Sequence, residues 1–150
     1  MPDIRVDEAE ADRILDLPKR IRENNQWKQG DDRNWFMEVP VEASEQMSLR
    51  LYGRYNPRTG NYTFILFHGR TNLRRLDVGK IHHNPECDNV GAVHKHRWTD
   101  RYHDKWAYVP SDVDSSALLD GVFRAFLSEC RTELEARFVN PPGYGQRRLI

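Results

Sequence analysis

The chain of 150 residues predicts an α+β fold: an antiparallel sheet of five to six strands, a short N-terminal helix, and a long C-terminal helix packed on one face. Three observations carry this prediction. Apolar residues alternate in short runs between Trp35 and Val109, they recur at three- and four-residue spacing after Leu118, and an acidic cap at Asp7 precedes a short helical pattern.

Asp7-Glu-Ala-Glu10 reads as the start of the first helix, with the Asp7 carboxylate accepting from first-turn amides. Ala11, Ile14, Leu15 and Leu17 follow at helical spacing, and Pro18 bends the chain or opens a further turn. The polar stretch from Gln26 to Asn34 is expected to be a loop. Trp35, Met37, Val39 and Val41 then share one face of a strand, as do Leu49, Leu51, Gly53 and Tyr55 of the next. The turn residues Asn56 to Asn61 make Leu49 to His68 a hairpin. Leu73 to Val78, His94 to Trp98 and Lys105 to Val109 complete the expected strands. Pro110 to Asp114 offers helix caps, and the stripe from Leu118 through Phe123, Leu127 and Leu134 to Phe138 predicts a helix of about six turns. One domain is expected over 1–150, with a mobile tail from about residue 140.

Composition narrows the function. The chain is 38% apolar and 31% charged, yet four Trp, six Tyr and six Phe rule out a disordered chain. Formal net charge is zero, so no overall basic field advertises nucleic acid. Cys87 and Cys130 are too few for a disulfide framework, and no stretch reaches the roughly 18 apolar residues that span a bilayer. A charged N-terminus and the lack of a signal core lead us to expect a cytoplasmic protein without membrane contact.

The chemistry-bearing residues cluster. Five of the six histidines lie between His82 and His103. On a strand, positions i and i+2 project together, so His94 and His96 stand on one face while Lys95 points the other way. His82 and His83 come from the preceding loop, and Arg74, Arg75, Lys80 and Arg97 flank the group.

Two chemistries suit this cluster, beside a purely structural role. Neutral imidazoles and a thiolate can hold zinc, with His83, Cys87, His94 and His96 as the four ligands, although the spacing matches no zinc finger or ribbon. Alternatively, paired imidazoles can act as base and acid in metal-free cleavage of an RNA phosphodiester, which requires no cofactor. His94 and His96 would then exchange protons, with His83 a third candidate, while Arg75 and Lys80 stabilise charge at phosphorus. Asp77 or Asp104 would orient an imidazole or pair with Arg75, and Arg74, Arg97, Tyr102 and Trp106 would hold and stack the RNA. Walker and Rossmann loops and the Gly-x-Ser-x-Gly elbow are missing.

The run Leu73-Arg-Arg-Leu-Asp-Val-Gly, then His83-Asn-Pro, His94-x-His96 and Tyr102-His-Asp-Lys-Trp-Ala-Tyr108, resembles a family of small bacterial proteins. That family carries Arg-x-Asp, His-x-Asn-Pro, His-x-His and Asp-Lys-Trp-Ala motifs in this order. Ile14-Leu-Asp-Leu-Pro-Lys19 is similar to its N-terminal segment. The first half of the motif set is also similar to the TumE-like toxins of toxin–antitoxin pairs, in which an Arg-x-Asp strand precedes a Pro-His-His turn and a His-x-His strand. Glu86-Cys87 stands where Asp-Gly commonly follows His-x-Asn-Pro. The resemblance implies a mobile-element or prophage setting and toxin activity.

The leading expectation is therefore a toxin-type, metal-independent ribonuclease with an RNA substrate and a cognate antitoxin as partner, a homodimer being the assembly considered. The alternative is a non-enzymatic interaction module (an antitoxin, phage-encoded inhibitor or antiviral defence-complex subunit) with a structural or zinc-binding histidine cluster.

Overall fold

Asp7 caps the first helix as its sequence suggests: its carboxylate accepts from the Glu10 amide at 2.7 Å, and Ala11 and Ile14 bury the apolar side. The structure, a computed structural model, describes residues 6–83, 89–108 and 118–144, the side chains of 80–83, 89–92 and 104 excepted. The helix α1 (Glu8–Asp16) stops before Pro18, whose ring drives Leu17 into an extended conformation. The chain continues as β1 (Lys19–Ile21), β2 (Lys28–Gln29), β3 (Trp35–Ala43), β4 (Leu49–Tyr55), β5 (Tyr62–His68), β6 (Thr71–His83), β7 (Asn89–Thr99) and β8 (His103–Tyr108). Helix α2 (Leu119–Glu129) and β9 (Thr132–Leu134) follow.

The sheet runs β8-β7-β6-β5-β4-β3-β1-β9, with β2 also paired to β3. It has nine strands where five to six were expected, and it is mixed, because β1 and β9 pair in parallel. The strands missed are β1, β2 and β9, of three, two and three residues, too short for alternation to register. The C-terminal helix is correspondingly shorter than its apolar stripe. It ends at Glu129, Arg131 takes a left-handed backbone (φ 49°), and Thr132 enters the sheet beside Lys19. Phe138 still reaches the core, stacking on Phe123 at 4.4 Å. The proposed caps from Pro110 to Asp114 lie outside the described residues. Tyr144 is tied in: its hydroxyl accepts from the Leu119 amide, and its ring packs edge-on against Tyr55.

Register decides what each sheet face carries, since directly opposed residues share a face. One row runs Met37, Gly53, Phe64, Leu76, Lys95, Tyr108. Phe64 meets Phe123 and Phe126 of α2, so the helix covers this face. Gly53 is required there, because a Cβ would stand 3.0 Å from Met37 and 3.2 Å from Phe64. The next rows point the other way: Arg54, Thr63, Asp77, His94, and then Tyr52, Ile65, Arg75, His96, Ala107.

Lys19 fastens α1 to this sheet. Its buried ammonium donates to the carbonyls of Ile14, Leu15 and Leu17 at 2.6–2.8 Å, satisfying the helix end. Replacing it removes this donor from all three carbonyls, of which Ile14 keeps the Leu17 amide. Lys19→Met should lower unfolding free energy by about 1–3 kcal/mol, measured by urea denaturation. An unchanged midpoint would show that these three bonds contribute nothing.

Candidate functional site

The long strands β6 and β7 form an antiparallel hairpin in which Asp77 faces His94 and Arg75 faces His96. Because i and i+2 alternate together, all four side chains leave the sheet on one side. His94 and His96 share a face as the sequence implies, with ring centroids 4.9 Å apart, and Lys95 points to the helix side.

Asp77 is the hub. Its Oδ2 lies 3.2 Å from His94 Nε2, 3.1 Å from His96 Nε2 and 2.9 Å from Arg75 Nε. Its Oδ1 accepts from the Thr63 hydroxyl at 2.5 Å, from the neighbouring strand β5. Exposure of Asp77, His94 and His96 is 1%, 1% and 4%. Burial alone would push the Asp77 carboxyl up. Hydrogen bonds from His94 and His96, the Arg75 charge and Thr63 reverse this and hold it well below the usual carboxylate range.

One carboxylate oxygen and two imidazole nitrogens within 4.8 Å of one another form a group with the donor set and spacing of a zinc site. This overturns the expectation that the site needs no cofactor. Oxygen and nitrogen ligands bound at about 2.0–2.2 Å stand roughly 3.3–3.6 Å apart along a tetrahedral edge, so the 3.1–3.2 Å found here need open only slightly to admit an ion. Two members of the zinc set drawn from sequence, His94 and His96, are in this cluster; Cys87 and the side chain of His83 lie outside the described residues. Asp77 is the ligand candidate that was missed. The sequence did not show it, because register shifts between Val78 and His83 offset the strands, and counting back from His83 opposite Asn89 would put Lys95, not His94, across from Asp77.

The expected substrate-holding residues are elsewhere. Arg74 and Arg97 sit on the helix face, as their register one residue from Arg75 and His96 requires. Arg74 Nε is 3.2 Å from Glu129, and Arg74 also donates to the Tyr108 hydroxyl. Arg97 lies against Glu8 and Asp12 of α1. Tyr102 and Trp106 stack on each other at 5.5 Å and line a shallow groove with Arg97, Thr99, Arg101 and Glu8. Arg75, expected to stabilise charge rather than to hold substrate, lies with the histidines at Asp77. The side chains of Lys80 and Asp104 lie outside the described ones.

A second polar knot, unforeseen from sequence, lies on the helix face. Lys95 is wholly buried, its Nζ 2.5 Å from Glu129 Oε2, while Tyr108 donates to Oε1 at 2.8 Å. Burial pushes the Tyr108 hydroxyl far above its ordinary pKa, with Arg74 opposing and Glu129 reinforcing the rise. Buried Cys130, next in sequence to Glu129, is pushed up to about 12 by desolvation and is no nucleophile at neutral pH.

The chain belongs to DUF6978, a family of unknown function whose model matches residues 6–132. No curated protein and no solved structure gives a significant match. No described helix is long and apolar enough to cross a membrane.

Removing the hub charge should be costly. Asp77→Asn should destabilise the metal-free protein by at least about 1.5–3 kcal/mol, the worth of one hydrogen bond to a charged group. The depressed pKa fixes the sign: the wild-type advantage is full above the ordinary aspartate value of 3.8 and fades as pH falls below it. Urea midpoints of both proteins at pH 7 and pH 3 measure this, and an advantage that grows in acid would contradict it.

Proposed function

We propose, from the carboxylate-anchored histidine pair, that the protein is a zinc-binding interaction module in which Asp77, His94 and His96 hold the ion. The observation that carries the reading is the convergence of both Nε2 atoms on Asp77 Oδ2 within 3.2 Å, with all three side chains nearly solvent-free. Buried groups that converge this closely need a shared proton or a shared cation. The ligands come from two neighbouring strands, and Thr63 on a third holds the carboxylate, so a bound zinc ties β5, β6 and β7 together.

Two features favour binding over cleavage. The arginines expected to grip RNA are turned to the opposite face and neutralised by Glu129, Glu8 and Asp12. The histidine face carries instead a half-buried ladder of Phe36, Tyr52 and Phe67 at 6.0 and 6.2 Å, with Arg50 over Phe67. Aromatic and arginine side chains of this kind dominate protein interfaces. An antitoxin, a phage-encoded inhibitor or a defence-complex subunit would use such a module.

A metal-dependent hydrolase is the second reading. It is favoured by the three ligands found among the described residues, a number that in zinc enzymes leaves the fourth position to water.

Metal analysis of the purified full chain tests the first reading, with one zinc per chain expected. His96→Ala and Asp77→Ala should each lower zinc affinity at least about ten-fold. A wild-type chain that takes up no zinc from micromolar solution would overturn the site. Zinc-dependent breakdown of RNA, lost in His96→Ala, would replace the first reading by the second.

A further inference from the structure

Arg75 is the one charged group that reaches from the buried cluster to solvent: its side chain is 30% exposed, against 2% for Asp77. Its Nε faces Asp77 Oδ2, and among the described residues its terminal nitrogens meet no carboxylate or carbonyl. Arg74 and Arg97 differ, each being held by acidic partners on the other face.

Charge balance then constrains what the loaded site takes. Without metal, the charges of the Asp77 carboxylate and the Arg75 guanidinium cancel. A zinc dication ligated by Asp77 and two neutral imidazoles leaves one positive charge, and Arg75 beside it makes two. An excess of two positive charges at a buried site is unfavourable unless an anion joins it. The described residues supply three ligands, and Arg75 shares the Asp77 oxygen with both imidazoles, so a tetrahedral oxyanion in the fourth zinc position would come within reach of the guanidinium. Arginine presents its nitrogens as a planar fork matched to phosphate and carboxylate oxygens, and a tetrahedral phosphate has oxygens to spare for the metal as well.

We propose that the zinc-loaded protein binds a phosphate group, one oxygen on the metal and others on the Arg75 guanidinium. This rests on the zinc reading and names the ligand class of that same site. In the metal-free state Arg75 occupies Asp77; zinc takes over the carboxylate and turns the guanidinium outward. Phosphate binding is therefore conditional on zinc.

Titration calorimetry of the full chain tests this in two stages. Zinc is added first to wild type, Arg75→Gln and Arg97→Gln, and all three should bind one ion; wild type failing here sinks the zinc reading and this inference with it. Inorganic phosphate and a ribodinucleotide phosphodiester are then titrated separately. Zinc-loaded wild type should bind at least one of them, the stronger identifying a free or terminal phosphate or a nucleic-acid backbone as the source. Zinc-free wild type should bind neither. Arg75→Gln should weaken phosphate about ten- to hundred-fold, the range for losing a hydrogen bond between charged partners, while Arg97→Gln leaves it unchanged. Phosphate binding that survives Arg75→Gln, that needs no zinc, or that is absent from the zinc-loaded protein would overturn the assignment while leaving the zinc site standing.

Discussion

A carboxylate almost wholly removed from water must be surrounded by donors or by a cation, and Asp77 meets that requirement from three strands at once. Thr63 on β5 takes one oxygen; Arg75 on its own strand and His94 and His96 on β7 take the other. This arrangement exists only in one register of β6 against β7. A slip of one residue would bring Lys95 to the carboxylate and send both imidazoles into the apolar face beneath α2. The same pairing that places Asp77 opposite His94 also places Leu76 between Phe64 and Lys95, so site and core are specified together.

The helix face solves its own polar problem separately. Lys95 is buried because its register leaves it nowhere else to go, and Glu129, at the last turn of α2, supplies the counter-charge with Tyr108 and Arg74 completing the knot. Burying such a pair yields little net stability over an apolar replacement, but leaving either charge alone would cost several kcal/mol, on the order of 3–5. The knot therefore fixes where α2 sits along β7 more than it strengthens the fold. Phe64, Phe123, Phe126 and Phe138 supply the apolar contacts around it.

What could be read from the sequence depends on the length of the pattern. The hairpin from Leu49 to His68 was legible because seven-residue alternation is bounded by an Asn-Pro…Gly-Asn turn, and Leu49 pairs with His68 as expected. The shared face of His94 and His96 was legible for the same reason. The three-residue strands β1 and β9 were not, because their pairing is parallel and joins residues more than a hundred positions apart. Leu134 and Phe138 continued the helical spacing of α2 although a left-handed Arg131 interrupts it, and local periodicity carries no sign of such a break. Asp77 as a ligand candidate was hidden by distance in sequence and by the register shifts between Val78 and His83, which offset it from the partner that simple counting assigns. Arg74 and Arg97 were grouped with the histidines because they neighbour them in the chain, yet a strand sends alternate residues to opposite faces.

The partition of charges bears on how metal and fold relate. In small zinc domains the ion replaces a core, and the chain unfolds without it. Here the apolar core lies on the other side of the sheet and contains none of the three ligands. Asp77 also has Arg75 and Thr63 to satisfy it when no metal is bound. The apolar core is therefore built without the three candidate ligands, and the cluster has internal partners of its own. On the proposed zinc reading, binding would exchange one cation, Arg75, for another at the same carboxylate, and its free energy would be the difference between the two. Such a site would bind less tightly than a dedicated structural one, and its occupancy would alter what Arg75 presents to solvent. The deep burial of the ligands and the partial exposure of one arginine are thus two parts of one arrangement, in which the state of the buried cluster is expressed at the surface through a single side chain.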